Sequence, residues 1–152
     1  MFPFKKILCP TDFSEASLCG IKMASKMAVQ FESEIILLNV HKPIPHLPSP
    51  RMEASDITFD ISSYEKAIIT DAEHSLAEIR DSILGDDVKT TLMVHIGTPS
   101  KGILHVAEEE NVDAIFMATH GRTGLSKIFF GSTAQRVLRR ATCPVMSIRS
   151  CD

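Results

Sequence analysis

Short apolar runs alternate with amphipathic stretches along the whole of this 152-residue chain, and few architectures accept such a pattern. Lys6-Ile7-Leu8-Cys9 reads as a strand stopped by Pro10. From Ser14 a helical stripe follows, with Leu18, Ile21, Ala24, Ala28 and Phe31 recurring at helical spacing. Ile35 to Val40 is continuously apolar apart from Asn39, as a strand covered on both faces requires. Tyr64, Ile68, Ala72, Leu76, Ile79 and Ile83 form a second helical stripe, ended by Gly85-Asp86-Asp87. Val88 to Ile96 predicts a third strand, and Thr98-Pro99 opens a helix through Ile103, Leu104 and Ala107. Val112 to Met117, Ser132 to Ala141 and Pro144 to Ile148 predict strand, helix and strand. Five strands and four helices in strict alternation imply one α/β domain over residues 1–152. Its strands are parallel, with right-handed helical crossovers on both faces.

In such sheets, ligands sit beyond the carboxyl ends of the strands, where strand order reverses. The segments expected there are Pro10-Thr11-Asp12, Val40-His41 and Ala118 to Gly131. Residues 41–60 hold Pro43, Pro45, Pro48 and Pro50, a density that opposes helix and ladder alike. This segment reads equally as a lid over the crevice or as a surface insertion.

Charge is uneven. Residues 1–121 carry ten Lys and Arg against eighteen Asp and Glu, whereas residues 122–152 carry six against Asp152 alone. An anion would meet the chain near its last segment, although Arg139 and Arg140 read more simply as complements to a helix C-terminus. The net charge of −3 does not suit a nucleic-acid binder, and no apolar run approaches a membrane span. The first residues lack the order of a secretory signal, so a cytoplasmic protein is expected. Cys9, Cys19, Cys143 and Cys151 form no C-x-x-C, and the six histidines show no ligand spacing. Cys9 and Cys19 are expected as small buried hydrophobes rather than disulfide partners, and no metal site is expected.

Residues 117–133 carry the chemistry. Gly121, Gly124 and Gly131 lie between a buried strand and a helix, where glycine permits positive φ and close backbone approach. Gly131 is followed by Ser132 and Thr133, capping residue types, and free N–H groups at such a helix start suit phosphate. Arg122 and Lys127 add positive charge. Neither a Walker A loop nor a Gly-x-Gly-x-x-Gly dinucleotide fingerprint is present.

This segment resembles the nucleotide-binding signature of the universal stress protein family, G-x2-G-x9-G-[S/T]. Gly121, Gly131 and Ser132 match it, and Ala118 replaces its first glycine. Ile7 to Asp12, Leu37 to Val40, Gly97-Thr98-Pro99 and Cys143-Pro144-Val145 are similar to further parts of the family, so the likeness covers nearly the whole chain. The resemblance implies a Rossmann-like adenine-nucleotide-binding fold with strand order 3-2-1-4-5. It places Pro10, Thr11 and Asp12 at the adenine and ribose, and the Val40 backbone at the adenine edge. Ala118, His120, Gly121 and Arg122 would line ribose and phosphates, and Gly131, Ser132 and Thr133 would hold the phosphate tail. His120 is expected to shape the site rather than act as acid or base. The expected ligand is ATP, ADP or AMP, with any Mg²⁺ carried by the nucleotide. The expected role is a stress-response regulatory protein acting as a homodimer through strand 143–149, without nucleic-acid or membrane partners. A slow ATP hydrolase and a nucleotide-free dimeric interaction protein are the competing readings.

Overall fold

The computed structural model describes residues 3–43, 61–119 and 131–149. The elements run β1 (Lys6–Pro10), α1 (Glu15–Phe31), β2 (Glu34–His41), α2 (Ile61–Ile79), β3 (Thr90–Ile96), α3 (Pro99–Glu109), β4 (Ala114–Ala118), α4 (Ser132–Arg140) and β5 (Val145–Ile148). They form one parallel sheet of order β3-β2-β1-β4-β5. The expected α/β fold and strand order are both present. One departure concerns α2, which continues into a π-helical turn over Arg80–Leu84 before Gly85 takes φ +65°. The apolar stripe through Ile83 gave no sign of the change, because a widened turn still buries Leu84.

Side-chain alternation assigns the helices to faces. Ile7, Cys9, Ile35, Leu37 and Phe116 pack with Ile21, Ala24 and Ala28 of α1 and Leu76 of α2. Leu8, Ile36, Leu38, Ile115 and Met117 pack with Ile103 and Val106 of α3 and Val137 of α4. The sheet is therefore covered on both sides. That explains why β1, β2 and β4 are apolar runs rather than alternating ones.

Helix starts follow local chemistry. The Ser14 hydroxyl caps α1 by accepting from the Ser17 N–H at 3.3 Å. Thr98 occupies the corresponding position of α3 without a side-chain bond, leaving Pro99 to set the first turn. The order reverses at β1 and β4. All crossovers bring helix N-termini to the carboxyl edge there, so the crevice opens between these two strands.

Candidate functional site

Pro10 explains the opening. Asp113 N–H donates to the Lys6 carbonyl, so even-numbered β1 residues face β4, while Thr11 N–H donates toward β2 to Leu38 O at 2.8 Å. Pro10 thus lacks its donor on the β4 side, just where the two strands part. Beyond it the chain turns sharply. Thr11 Oγ1 accepts from Phe13 N–H at 2.9 Å and lies 2.8 Å from Ser17 Oγ. Asp12 Oδ1 accepts from Ser14 N–H at 3.1 Å and Ser14 Oγ at 2.5 Å, an Asx turn. Phe13 has φ +64°, an uncommon conformation for a bulky residue and a local strain beside the cleft.

At the end of β2, ladder parity decides what is exposed. Leu38 accepts from β1, whereas the His41 carbonyl accepts from Gly97 N–H on the opposite side. Val40 therefore turns its N–H and C=O toward β1, past the last backbone rung, Pro10 paired with Leu38. A single donor–acceptor edge faces the crevice. Behind it, Val40 rests on α3, where Gly102 allows close contact: a Cβ there would stand 2.8 Å from Val40 Cγ1.

The third segment joins β4 to α4. Thr119 N–H donates to Ile148 O at 3.0 Å, and Gly131 N–H donates to Thr119 O at 2.7 Å. Gly131 is the N-cap of α4, with φ −58° and ψ 145°. Two expectations are corrected here. Gly131 needs no positive φ, since any residue adopts these angles, and its N–H is already engaged. Among the described residues the amides of Ser132, Thr133 and Ala134 have no acceptor, because the first intrahelical bond is Gln135 N–H to Gly131 O. His120, Gly121 and Arg122 lie outside the described residues, as does segment 44–60. Arg139 and Arg140 occupy the last turn of α4, where they complement its dipole.

A cavity of about 780 Å³ joins these pieces. Pro10, Thr11 and Asp12 line it from β1, Val40 from β2, Ala118 from β4, and Gly131, Ser132 and Thr133 from α4. The cavity also reaches residues that sequence reasoning missed: Phe13 before α1, Ser17 on α1, and Ile68, Asp71, Ala72 and Ser75 on α2. Ile68 and Ala72 belong to the apolar stripe of α2 and Asp71 and Ser75 flank it, and none of them carried the mark of a ligand wall. The packing of α2 over β2 and β3 brings this face to the crevice.

Among the described residues, no group of three or more His, Cys, Asp or Glu is placed to hold a metal ion. No described helix is long and apolar enough to cross a membrane. Cys9 is a free thiol with full burial, which pushes its pKa well up and suppresses thiolate chemistry. Burial likewise raises the Cys143 pKa. Cys19 corrects the expectation of a free buried thiol, for it is half-buried and disulfide-bonded. Cysteine spacing says nothing about pairs that the fold brings together from afar.

Residues 3–149 match the model of the universal stress protein family. Universal stress protein MJ0531 of Methanocaldococcus jannaschii is 30% identical over 146 residues, covering 96% of this chain and 82% of its own. The solved structure of MJ0577 superimposes with a TM-score of 0.75 at 28% identity, covering 97% of both chains; MJ0577 is another universal stress protein of that organism. A universal stress protein from Archaeoglobus fulgidus, solved in complex with dAMP, shares the fold with a TM-score of 0.56 at 18% identity, covering 98% of this chain and 100% of its own. With a family model spanning nearly the whole chain, and a fold and strand order that agree, this protein belongs to the universal stress protein family.

Proposed function

We propose that this protein is a nucleotide-binding regulator that takes ATP, ADP or AMP in the crevice and presents the bound state on a homodimer. The observation that carries this reading is the pairing of two unlike surfaces in one cavity. Val40 offers one backbone donor and one acceptor side by side, the pattern that the edge of adenine complements. The α4 N-terminus offers the amides of Ser132, Thr133 and Ala134, together with the positive end of the helix dipole, to phosphate. Cavities of this size suit a nucleotide-sized ligand. The dAMP complex of a protein sharing the fold supports the same choice of ligand.

Efficient phosphoryl transfer asks for a lysine and a carboxylate-held metal near the phosphates. Asp12 stands at the nucleoside end of the cleft in this reading, with one oxygen engaged by Ser14, so a binding role is favoured over turnover. Any Mg²⁺ arrives on the phosphates. The edge strand β5 supplies the dimer surface: among the described residues it pairs with β4 alone, and Met146 on it is 41% exposed.

Mass spectrometry of the nucleotide that co-purifies with the protein, paired with a phosphate-release assay, tests the reading. Trapped adenine nucleotide with negligible release is expected. Sustained release would establish a hydrolase, and a cleft that refuses added ATP would establish a nucleotide-free interaction protein.

A further inference from the structure

We propose that Cys19 is one half of a dithiol-sensitive latch whose other half is Cys151, and that opening it loosens the end of β5 beside the crevice. Cys19 on α1 is half-buried and disulfide-bonded. The sequence holds four cysteines, and Cys9 and Cys143 are free thiols, so Cys151 is the one left to pair. Cys151 lies outside the described residues and is assigned by that elimination. Distance agrees. Cys19 packs against the apolar cluster that contains Ile148, and α1 touches β5. Cys151 follows Ile148 by three residues, which span at most about 11 Å of extended chain. Cys143, by contrast, packs with the cluster on the opposite face of the sheet.

Backbone hydrogen bonds lead from this point to the crevice. Ile148 O accepts from Thr119 N–H at 3.0 Å, and Thr119 O accepts from Gly131 N–H at 2.7 Å. Gly131 is the N-cap of α4, whose first residues Ser132 and Thr133 line the cavity. The strand at the head of this chain is short: β5 has four residues and, among the described residues, pairs with β4 alone. A covalent tie to α1 holds its end, and without the tie a short terminal strand frays. The anchor itself is firm. Gly20, next to Cys19, lies so close to β4 that a Cβ there would stand 3.4 Å from Met117 Cα.

Opening the latch takes two electrons and two protons from a dithiol. One thiolate of the dithiol attacks a sulfur of the pair and displaces the other cysteine as a thiolate, which takes a proton. The second thiol then attacks the mixed disulfide, closes a cyclic disulfide and releases the first cysteine. Both cysteines end as thiols and the dithiol as a disulfide. Cys19 is partly exposed, so an attacking thiolate can reach it, whereas the wholly buried Cys9 stays inert.

Peptide mass mapping of the full chain, purified without reductant and alkylated with iodoacetamide before and after dithiothreitol, tests the pairing. A link from the Cys19 peptide to the C-terminal peptide is expected, and reduction should open both to label. Hydrogen exchange read by NMR without nucleotide tests the consequence. Dithiothreitol should speed exchange of the Thr119 and Gly131 amides by roughly tenfold or more. Cys151→Ser should reproduce that rate and ignore dithiothreitol, whereas Cys143→Ser should keep the response. Three outcomes overturn the proposal: Cys19 and Cys151 both open to label before reduction, a link between two chains, or exchange that reduction leaves unchanged. Reduction should also weaken ATP binding by roughly threefold or more, an expectation that rests on the nucleotide reading. Exchange that responds to reduction in a protein that refuses ATP removes the nucleotide assignment alone. ATP binding with exchange that does not respond removes the latch alone.

Discussion

Asn39 Nδ2 donates to the Thr11 carbonyl at 2.9 Å, so a side chain rather than a backbone amide makes the last link between β2 and β1. Backbone pairing ends one residue earlier on β2, with Thr11 N–H on Leu38 O. The link fixes where the chain leaves the sheet, and with it the position of Asp12. Asn39→Ala should destabilise the protein by about 1–3 kcal/mol, because the Thr11 carbonyl loses its partner in a buried setting. Asn39→Asp should cost more, since a carboxylate cannot donate and adds buried charge. Urea unfolding of the two variants measures both, and equal stability of all three proteins would contradict the role given to this contact.

Gly102 tests the support behind Val40. A Cβ at this position would stand 2.8 Å from Val40 Cγ1 and 2.9 Å from His95 Cδ2, closer than packed carbons tolerate. Gly102→Ala should destabilise by about 1–3 kcal/mol and weaken ATP through displacement of the Val40 edge. Thermal melting and titration read the two effects. An unchanged melt would mean that α3 shifts without resistance.

Much of this architecture was legible in the alternation of elements, and the reason is physical. Parallel strands buried on both faces must be apolar throughout, so β1, β2 and β4 announce themselves; Asn39 is the exception within β2, and its amide does the work of a backbone group. The ladder parity that exposes Val40 was not legible, because it depends on where Pro10 and Thr11 stop pairing. Nor was the place of Asp71 and Ser75 in the cavity wall, which depends on where α2 packs on the sheet. The motif marks where α4 starts, but it suggests a positive φ at Gly131 that the structure does not have. Its N–H closes the loop onto Thr119 instead.

Glu34 ties β2 to β3 and makes stability depend on pH. It accepts from Lys89 Nζ at 3.0 Å and Thr91 Oγ1 at 2.9 Å, and the Lys89 hydrogen bond, against a cost from burial, holds its carboxyl below the usual range. A carboxyl with a lowered folded pKa stabilises above the unfolded value of about 4.3 and loses that contribution as pH falls through the folded value. Glu34→Gln should therefore cost about 0.5–1 kcal/mol at pH 7, with the difference from wild type closing in acid below about pH 4. Denaturant curves at several pH values show this. A difference that does not depend on pH would assign the loss to packing.

Edge pairing through β5 also has a parity. Ile115 N–H donates to Pro144 O and Thr119 N–H to Ile148 O, so even-numbered residues face β4 while Val145 and Ser147 turn their backbone outward. Ser147→Pro should release monomers while leaving the β4 ladder whole, whereas Met146→Pro should damage the ladder itself. Light scattering with a parallel melt distinguishes them. A monomeric wild type, or a dimer that survives Ser147→Pro, would remove β5 from the interface.

The most direct measurement is a calorimetric titration of ATP into the wild type and into Gly131→Val. Gly131 adopts φ and ψ open to any residue, so valine should leave α4 and the circular dichroism spectrum intact. Its branched side chain would crowd the approach to the free amides of Ser132 and Thr133. The wild type should bind one ATP per chain, and the variant should lose affinity by roughly tenfold or more. A wild type that binds no ATP, or a folded Gly131→Val that binds it equally well, would contradict the assignment of this crevice to nucleotide.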